Sequence, residues 1–386
     1  LSTAVTDISL FILEIRETMT IQIDHHELST EGLREIFVPG RLCLFGEHTD
    51  WAGAMRRNNP EISPGCTIVA GINYGLHAKI SALEEPVMRI RSTTHDGVVQ
   101  EMEFRMDEDE LGEAAKAGGF WSYAAGVGYI FATEFKVRGI HIDNYRTTLP
   151  LKKGLSSSAA FCVLVARAFN LCYGIGMTER GEMQVAFEGE RLTPSQCGRM
   201  DQAVAFGTVP VLMRYDGDLL KVEPARLGAT FHMVLVDLKA SKDTVEILSK
   251  LQHAYPFPKG RDEENLHMLL GEINVEITGK AIEYLQTGNK EALGKLMVHA
   301  QNEFDRLAGP MCPSQLGEMG SPMLHKVLRF DAIQHLIYGG KGVGSQGDGT
   351  GQFLCRDGAC QDELCSILES QLNVSCLKVT LGSNHT

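Results

Sequence analysis

The stretch that most constrains this chain is Leu149-Pro150-Leu151-Lys152-Lys153-Gly154-Leu155-Ser156-Ser157-Ser158-Ala159-Ala160, which runs into the apolar, helix-compatible segment AFCVLVARAFNLC and stops at Tyr173-Gly174. A glycine followed by serines at a helix start supplies backbone N–H groups with no partner in the helix, hydroxyls, and the positive end of the dipole. That combination is an anion cradle, and a serine there can reach a Mg²⁺ held by the same phosphates. A plain N-cap is the alternative, but three consecutive serines exceed what capping requires.

Three further stretches hold chemistry-bearing residues. In Pro39-Gly40-Arg41-Leu42-Cys43-Leu44-Phe45-Gly46-Glu47-His48-Thr49-Asp50-Trp51 a strand-like run ends in a glycine turn. Glu47 and Asp50 can accept hydrogen bonds, His48 can donate or accept, and Trp51 offers a flat apolar face. Such a set suits a polyol; it equally suits a solvated loop. In residues 190–202, Glu190 near a helix end and Asp201 after a Pro/Gly turn could hold a metal and face a nucleophile. Residues 339–351 contain seven glycines in thirteen positions, which lets backbone approach a ligand or other backbone closely. The Gly342-x-Gly344-x-x-Gly347 match to a dinucleotide fingerprint is rejected, because 352–355 reads as a strand and no helix opens there. A tight glycine hairpin is the simpler interpretation, and no Walker-type G-x-x-x-x-G-K-[ST] run exists.

Composition narrows the function classes. A formal net charge of −13 argues against a broad nucleic-acid surface, while leaving room for one local phosphate loop. The ten cysteines contain no C-x-x-C pair, and the five-residue recurrence of Cys355, Cys360 and Cys365 completes no zinc pattern. Reduced thiols in a cytoplasmic protein are expected. The apolar run 8–15 is short and contains Glu14, so neither a membrane span nor a signal peptide is expected.

Strands are expected at 36–39, 67–70, 77–80, 231–236 and 376–380, and helices at 159–172, 180–191, 244–253, 266–285, 290–307, 321–330 and 360–372. Without a strict βαβ rhythm, the fold class is α+β.

In this order and spacing the stretches resemble the GHMP kinase superfamily. GRLCLFGEHTDWAG is similar to the first galactokinase motif, and its LFGEH core is equally like mevalonate kinase. PLKKGLSSSAA resembles the ATP-phosphate loop, and CGRMDQ the galactokinase segment with the catalytic aspartate. The eleven-residue step from Glu190 to Asp201 looks more like mevalonate kinase. GVGSQGDGTGQF is a less faithful third motif, and CPSQL at 312–316 is a weak likeness to a galactokinase CPELD-like segment.

The resemblance implies a two-lobed fold: an N-terminal extension (1–30), an N-terminal lobe like ribosomal protein S5 domain 2 (31–215), and a ferredoxin-like C-terminal lobe (216–386). It implies an ATP-dependent phosphotransferase acting on a sugar hydroxyl, with the anomeric hydroxyl of galactose or a related hexose or hexuronate as acceptor. An isoprenoid-type kinase and a non-catalytic sugar/ATP sensor are the alternatives. Asp201 and Arg41 would be catalytic, and Glu47, His48, Asp50 and Trp51 would bind the sugar. Lys153, Gly154, Leu155, Ser156, Ser157, Ser158 and Ala159 would bind ATP, with Mg²⁺ on Ser157 and Glu190. Trp51 stands where galactokinases usually have Tyr, and Arg56 or Arg57, if turned inward, would suit a hexuronate. The polar Thr49-Asp50 pair counts against a mevalonate-like acceptor.

Overall fold

The computed structural model describes residues 34–149, 155–195 and 197–382. The expected extension over 1–30, and Lys153 and Gly154 of the serine loop, lie outside them.

The first sheet contains β1 (Arg34–Phe45), β2 (Gly65–Leu83), β3 (Val87–Thr93), β4 (Val99–Arg105), β5 (Gly139–Thr147), β6 (Val211–Asp216) and β7 (Leu219–Pro224). Its order is β4-β3-β5-β2-β6-β7, with β1 laid against β2. The runs 67–70 and 77–80 are one 19-residue strand. Its first part pairs with β6, its last part with β5, and β1 pairs with 68–80 across from them. The break in the hydrophobic pattern therefore interrupts the side chains and not the ladder.

Helices α1 (Thr49–Ala54), α2 (Glu108–Ala117), α3 (Ser122–Glu134), α4 (Ser157–Cys172) and α5 (Glu179–Arg191) accompany this sheet. Helix α4 is buried from 159 to 170 apart from Arg167, as an all-round apolar helix must be. Arg167 keeps its charge compensated by Glu182 at 2.7 Å. Helices α3 and α5 cross with backbones in contact. A Cβ on Gly189 would lie 2.7 Å from the Val127 backbone, and one on Gly126 2.1 Å from the Gly189 carbonyl. This crossing sets the position of Glu190, the next residue.

The second sheet is antiparallel, β11-β8-β10-β9, from β8 (Phe231–Asp237), β9 (Ile337–Gly342), β10 (Thr350–Cys355) and β11 (Ser375–Leu381). Between β8 and β9 come α6 (Thr244–Gln252), α7 (Arg261–Met268), α8 (Asn274–Thr287), α9 (Lys290–Leu307) and α10 (Pro322–Leu328); α11 (Gly358–Leu372) precedes β11. The helix expected over 266–285 is broken by a π turn at Leu269–Ile273, where Gly271 leaves helical geometry. A Cβ on Gly271 would lie 2.9 Å from Ser63 Oγ, so the kink accommodates the 58–64 loop. We propose the division between lobes in the connection 225–230, since β6 and β7 form a hairpin of the first sheet.

Polar contacts tie the first sheet to the second sheet and to α8. Gln352 Nε2 donates to the Cys43 carbonyl at 3.0 Å, and Asn274 Nδ2 to the Cys66 carbonyl at 2.8 Å.

Gly189→Ala is expected to cost about 1–3 kcal/mol in unfolding free energy by overpacking the α3–α5 crossing. Gly279→Ala, on the exposed face of α8 with nothing within 4 Å of a new Cβ, should stabilise by up to about 1 kcal/mol. Urea unfolding of both variants checks the contrast.

Candidate active site

Arg41 comes from the middle of β1, just after a register shift between Pro39 and Arg41. Such a bulge re-aims a side chain. Its Nε and Nη2 both donate to Oδ1 of Asp201, at 2.9 and 2.6 Å. Arg41 is almost fully buried, whereas the Asp201 side chain is 25% exposed. Burial alone would lower the pKa of Arg41, but Asp201, through charge and hydrogen bonding, more than offsets it. The Arg41 N–H donates to the Leu155 carbonyl at 3.2 Å, which fastens the serine loop to the strand carrying Arg41.

Ser156 caps α4 in the left-handed region at φ +58 and makes no side-chain cap bond. Its Oγ is buried and, among the described residues, has no hydrogen-bond partner. The first helical bond runs from Ala160 N–H to the Ser156 carbonyl, so the N–H groups of Ser157, Ser158 and Ala159 lack acceptors within the helix. Glu190 is 1% exposed. It accepts from Gln202 Nε2 at 2.7 Å, from Ser195 Oγ at 3.4 Å and from the Ser158 hydroxyl. Burial raises its pKa above the usual carboxylate value. The serine hydroxyl that meets Glu190 is that of Ser158 rather than Ser157.

A cleft of about 750 Å³ opens beside Arg41 and Asp201, lined also by Glu47, His48, Asp50, Trp51 and Gly198. Its opposite wall is Asp237, Lys239, Lys242 and Thr244 after β8, with Val343, Gly344, Ser345, Gly349 and Thr350 from the glycine-rich segment. That segment is a β9–β10 hairpin whose loop walls the cleft.

The turn after β1 needs positive φ at Gly46 (+95) and at His48 (+70), and thereby aims successive side chains differently. Glu47 forms a buried ion pair with Lys341 of β9. His48 Nδ1 accepts from Trp51 Nε1 at 3.3 Å, and its ring stacks on Phe304. Burial pushes its pKa down to about 4, so it is neutral at physiological pH. Asp50 is pushed up to about 6 by burial and then by the Asp201 charge. Gly198 permits that neighbourhood, since a Cβ there would sit 2.1 Å from Asp50 Oδ2.

Other expectations are redirected. Thr49 faces inward, fully buried, with its hydroxyl on the Gly46 and Cys66 carbonyls at 2.8 and 3.0 Å, so only Asp50 of that polar pair faces the cleft. Arg56 donates to Asp216 and to the Pro60 and Ile62 carbonyls, and Arg57 pairs with Asp218 at 3.6 Å. Neither arginine lines the cleft. Lys341 and Lys242 were not anticipated. The one signal for Lys341 was an isolated cation inside a glycine run, and Lys242 had none.

The same architecture is found in solved mevalonate kinase and galactokinase structures. Residues 122–208 match the family model described as GHMP kinases N terminal domain. Galactokinase of Actinobacillus pleuropneumoniae serotype 5b is 25% identical over 220 residues, 54% of this chain and 51% of that protein. The chain thus spans about half the length of that relative. Methanococcus jannaschii mevalonate kinase shares the fold with a TM-score of 0.67 at 16% identity, over 92% of this chain and 99% of that one. Lactococcus lactis galactokinase complexed with galactose does so with a TM-score of 0.66 at 19% identity, over 97% and 98%. The resemblance to galactokinase is thus present in both sequence and fold, and that to mevalonate kinase in the fold.

A carboxyl whose folded pKa lies near 6 favours the fold below its unfolded pKa, near 4, and loses that contribution as pH rises through 6. Asp50→Asn should therefore match wild type near pH 4 and exceed it above pH 6.5 by up to about 3 kcal/mol, as read from thermal melts across pH. Lys341→Met should cost about 3–5 kcal/mol by stranding buried Glu47, and Glu47→Gln in the same chain should recover part of that loss in urea titrations.

Proposed function

We propose that this protein is an ATP-dependent small-molecule kinase that transfers the γ-phosphoryl group to a sugar hydroxyl, the anomeric hydroxyl of galactose or a related hexose or hexuronate. The observation that carries this reading is the adjacency of two parts. Arg41 holds Asp201 at the edge of the cleft, and the same strand is hydrogen-bonded to the loop that opens α4.

The residues fit a phosphate ligand and a divalent ion. The buried Ser156 Oγ, unpartnered among the described residues, and the uncapped start of a 16-residue helix match phosphate oxygens in charge and hydrogen bonding. Glu190, beside Ser158, offers a buried carboxyl near that helix start, and Mg²⁺ asks for such a carboxylate plus hydroxyl and phosphate oxygens. When bound, the ion neutralises phosphate charge.

The chain's own groups then position the reaction. Asp201 orients the acceptor hydroxyl and takes up its proton as the oxygen bonds to the γ-phosphorus and ADP leaves. Arg41 keeps that carboxylate in place and sets a positive charge beside the transferring group. Asp50 and Glu47 accept hydrogen bonds from the acceptor's other hydroxyls, and Trp51 covers a C–H face.

Asp201→Asn is expected to bind nucleotide normally and to lose about 10²–10⁴ in turnover. A coupled ADP-release assay with Mg·ATP, screened over hexoses, pentoses, hexuronates and mevalonate, checks it. Retention of more than about a tenth of wild-type activity would remove Asp201 from this role. Ser156→Ala should raise the KM for Mg·ATP and leave acceptor KM near wild type.

A further inference from the structure

The buried cations at the cleft are matched: Arg41 by Asp201 and Lys341 by Glu47. Lys242 differs. It lines the cleft, is half-buried, and forms no ion pair with any of the described residues. Its stem lies across the glycine hairpin: a Cβ on Gly349 would lie 2.6 Å from Lys242 Nζ, and one on Gly347 3.4 Å from its Cδ. Any side chain at Gly349 would displace the ammonium, so the glycines hold a seat for it.

The acids nearby are otherwise engaged. Asp237 Oδ1 accepts from the Lys239 N–H at 3.2 Å, and Asp243 caps α6 through the Glu246 N–H at 2.9 Å. Burial lowers the Lys242 pKa with no carboxylate opposing it. Thr244 and Ser345, whose hydroxyls lie 3.3 Å apart, line the same cleft. His48 adds a second unsatisfied group on the same cleft. It is 5% exposed, and its Nε2, nearest the Ser345 backbone, makes no hydrogen bond of normal geometry.

A desolvated charge without a partner is costly unless a ligand supplies the counter-charge. We propose that Lys242, with Thr244 and Ser345 on the same cleft, forms an anion subsite of the acceptor pocket and that the acceptor carries a carboxylate. One half-buried ammonium balances one negative charge, which favours a carboxylate over a phosphate dianion. This rests on the reading of the cleft as an acceptor site, and it moves the recognition of an acidic sugar from Arg56 and Arg57 to the opposite wall.

The test is calorimetric binding to the full chain of D-galacturonate and D-glucuronate against D-galactose, D-glucose and galactose 6-phosphate, with ADP release followed separately. A uronate is expected to bind at least about tenfold more tightly than its hexose. Lys242→Met should reduce it to the hexose level, and Lys242→Arg should keep most of the preference. Equal binding of acid and hexose, a preference that survives in Lys242→Met, or tighter binding of the sugar phosphate would overturn the proposal. So would a Lys242→Met effect confined to the KM for ATP. An intact uronate preference without ADP release would sustain the subsite and remove the kinase reading instead.

Discussion

The ion pair between Glu47 and Lys341 is the contact on which the rest of the site depends. Both side chains are more than nine-tenths buried, so each charge has lost most of its hydration and is tolerated only because the other is present. Glu47 stands on the turn that ends β1, and Lys341 on the strand entering the glycine hairpin. Their pairing fixes the two cleft walls against each other. Lys341 Nζ also donates to the Gly342 carbonyl at 2.9 Å, and Gln352 reaches the Cys43 carbonyl from the neighbouring strand. The sheets meet through satisfied polar groups at the place where the chemistry sits.

Within that frame each ionisable group is tuned by its surroundings. Arg41 is held charged by Asp201 despite burial. His48 is kept neutral by burial, so its ring can stack on Phe304 and accept from Trp51 without carrying charge into the core. Asp50 sits closer to neutrality than an exposed aspartate because it is buried and, secondarily, because Asp201 lies nearby. The acids of the cleft are thus unequal: Asp201 and Glu47 have cationic partners, whereas Asp50 is poised to exchange a proton near pH 6. Glycines make the arrangement possible where backbone must approach a charged side chain, at Gly198 under Asp50 and at Gly349 under Lys242.

Much of this was legible from residue order. Helix α4 was readable because a long apolar run ending at Tyr173-Gly174 has few other ways to fold, and its serine-rich start made the N-terminus conspicuous. Helices α5, α6 and α9 followed from periodicity and caps, and β8 from its short apolar run. The two runs of β2 could not be joined from sequence, since what unites them is hydrogen bonding to three different strands. The break at Gly271 was equally hidden, because its cause is Ser63, remote in sequence.

The sequence by itself determined the α+β class and a helix start with unpartnered N–H groups, because local patterns depend only on neighbours along the chain; it was the likeness to a known family that singled out Arg41, Asp201, Glu190 and the Glu47–Trp51 cluster. Tertiary structure alone decided which of these groups meet. It brought Arg41 to Asp201, 160 positions away, spent Glu47 on Lys341, turned Thr49 inward, and sent Arg56 and Arg57 to acidic partners beside the β6–β7 turn. It also set Lys242 on the cleft with no ion-pair partner among the described residues. The physical reason is that charge pairing and desolvation are set by distances through space, which sequence separation does not encode.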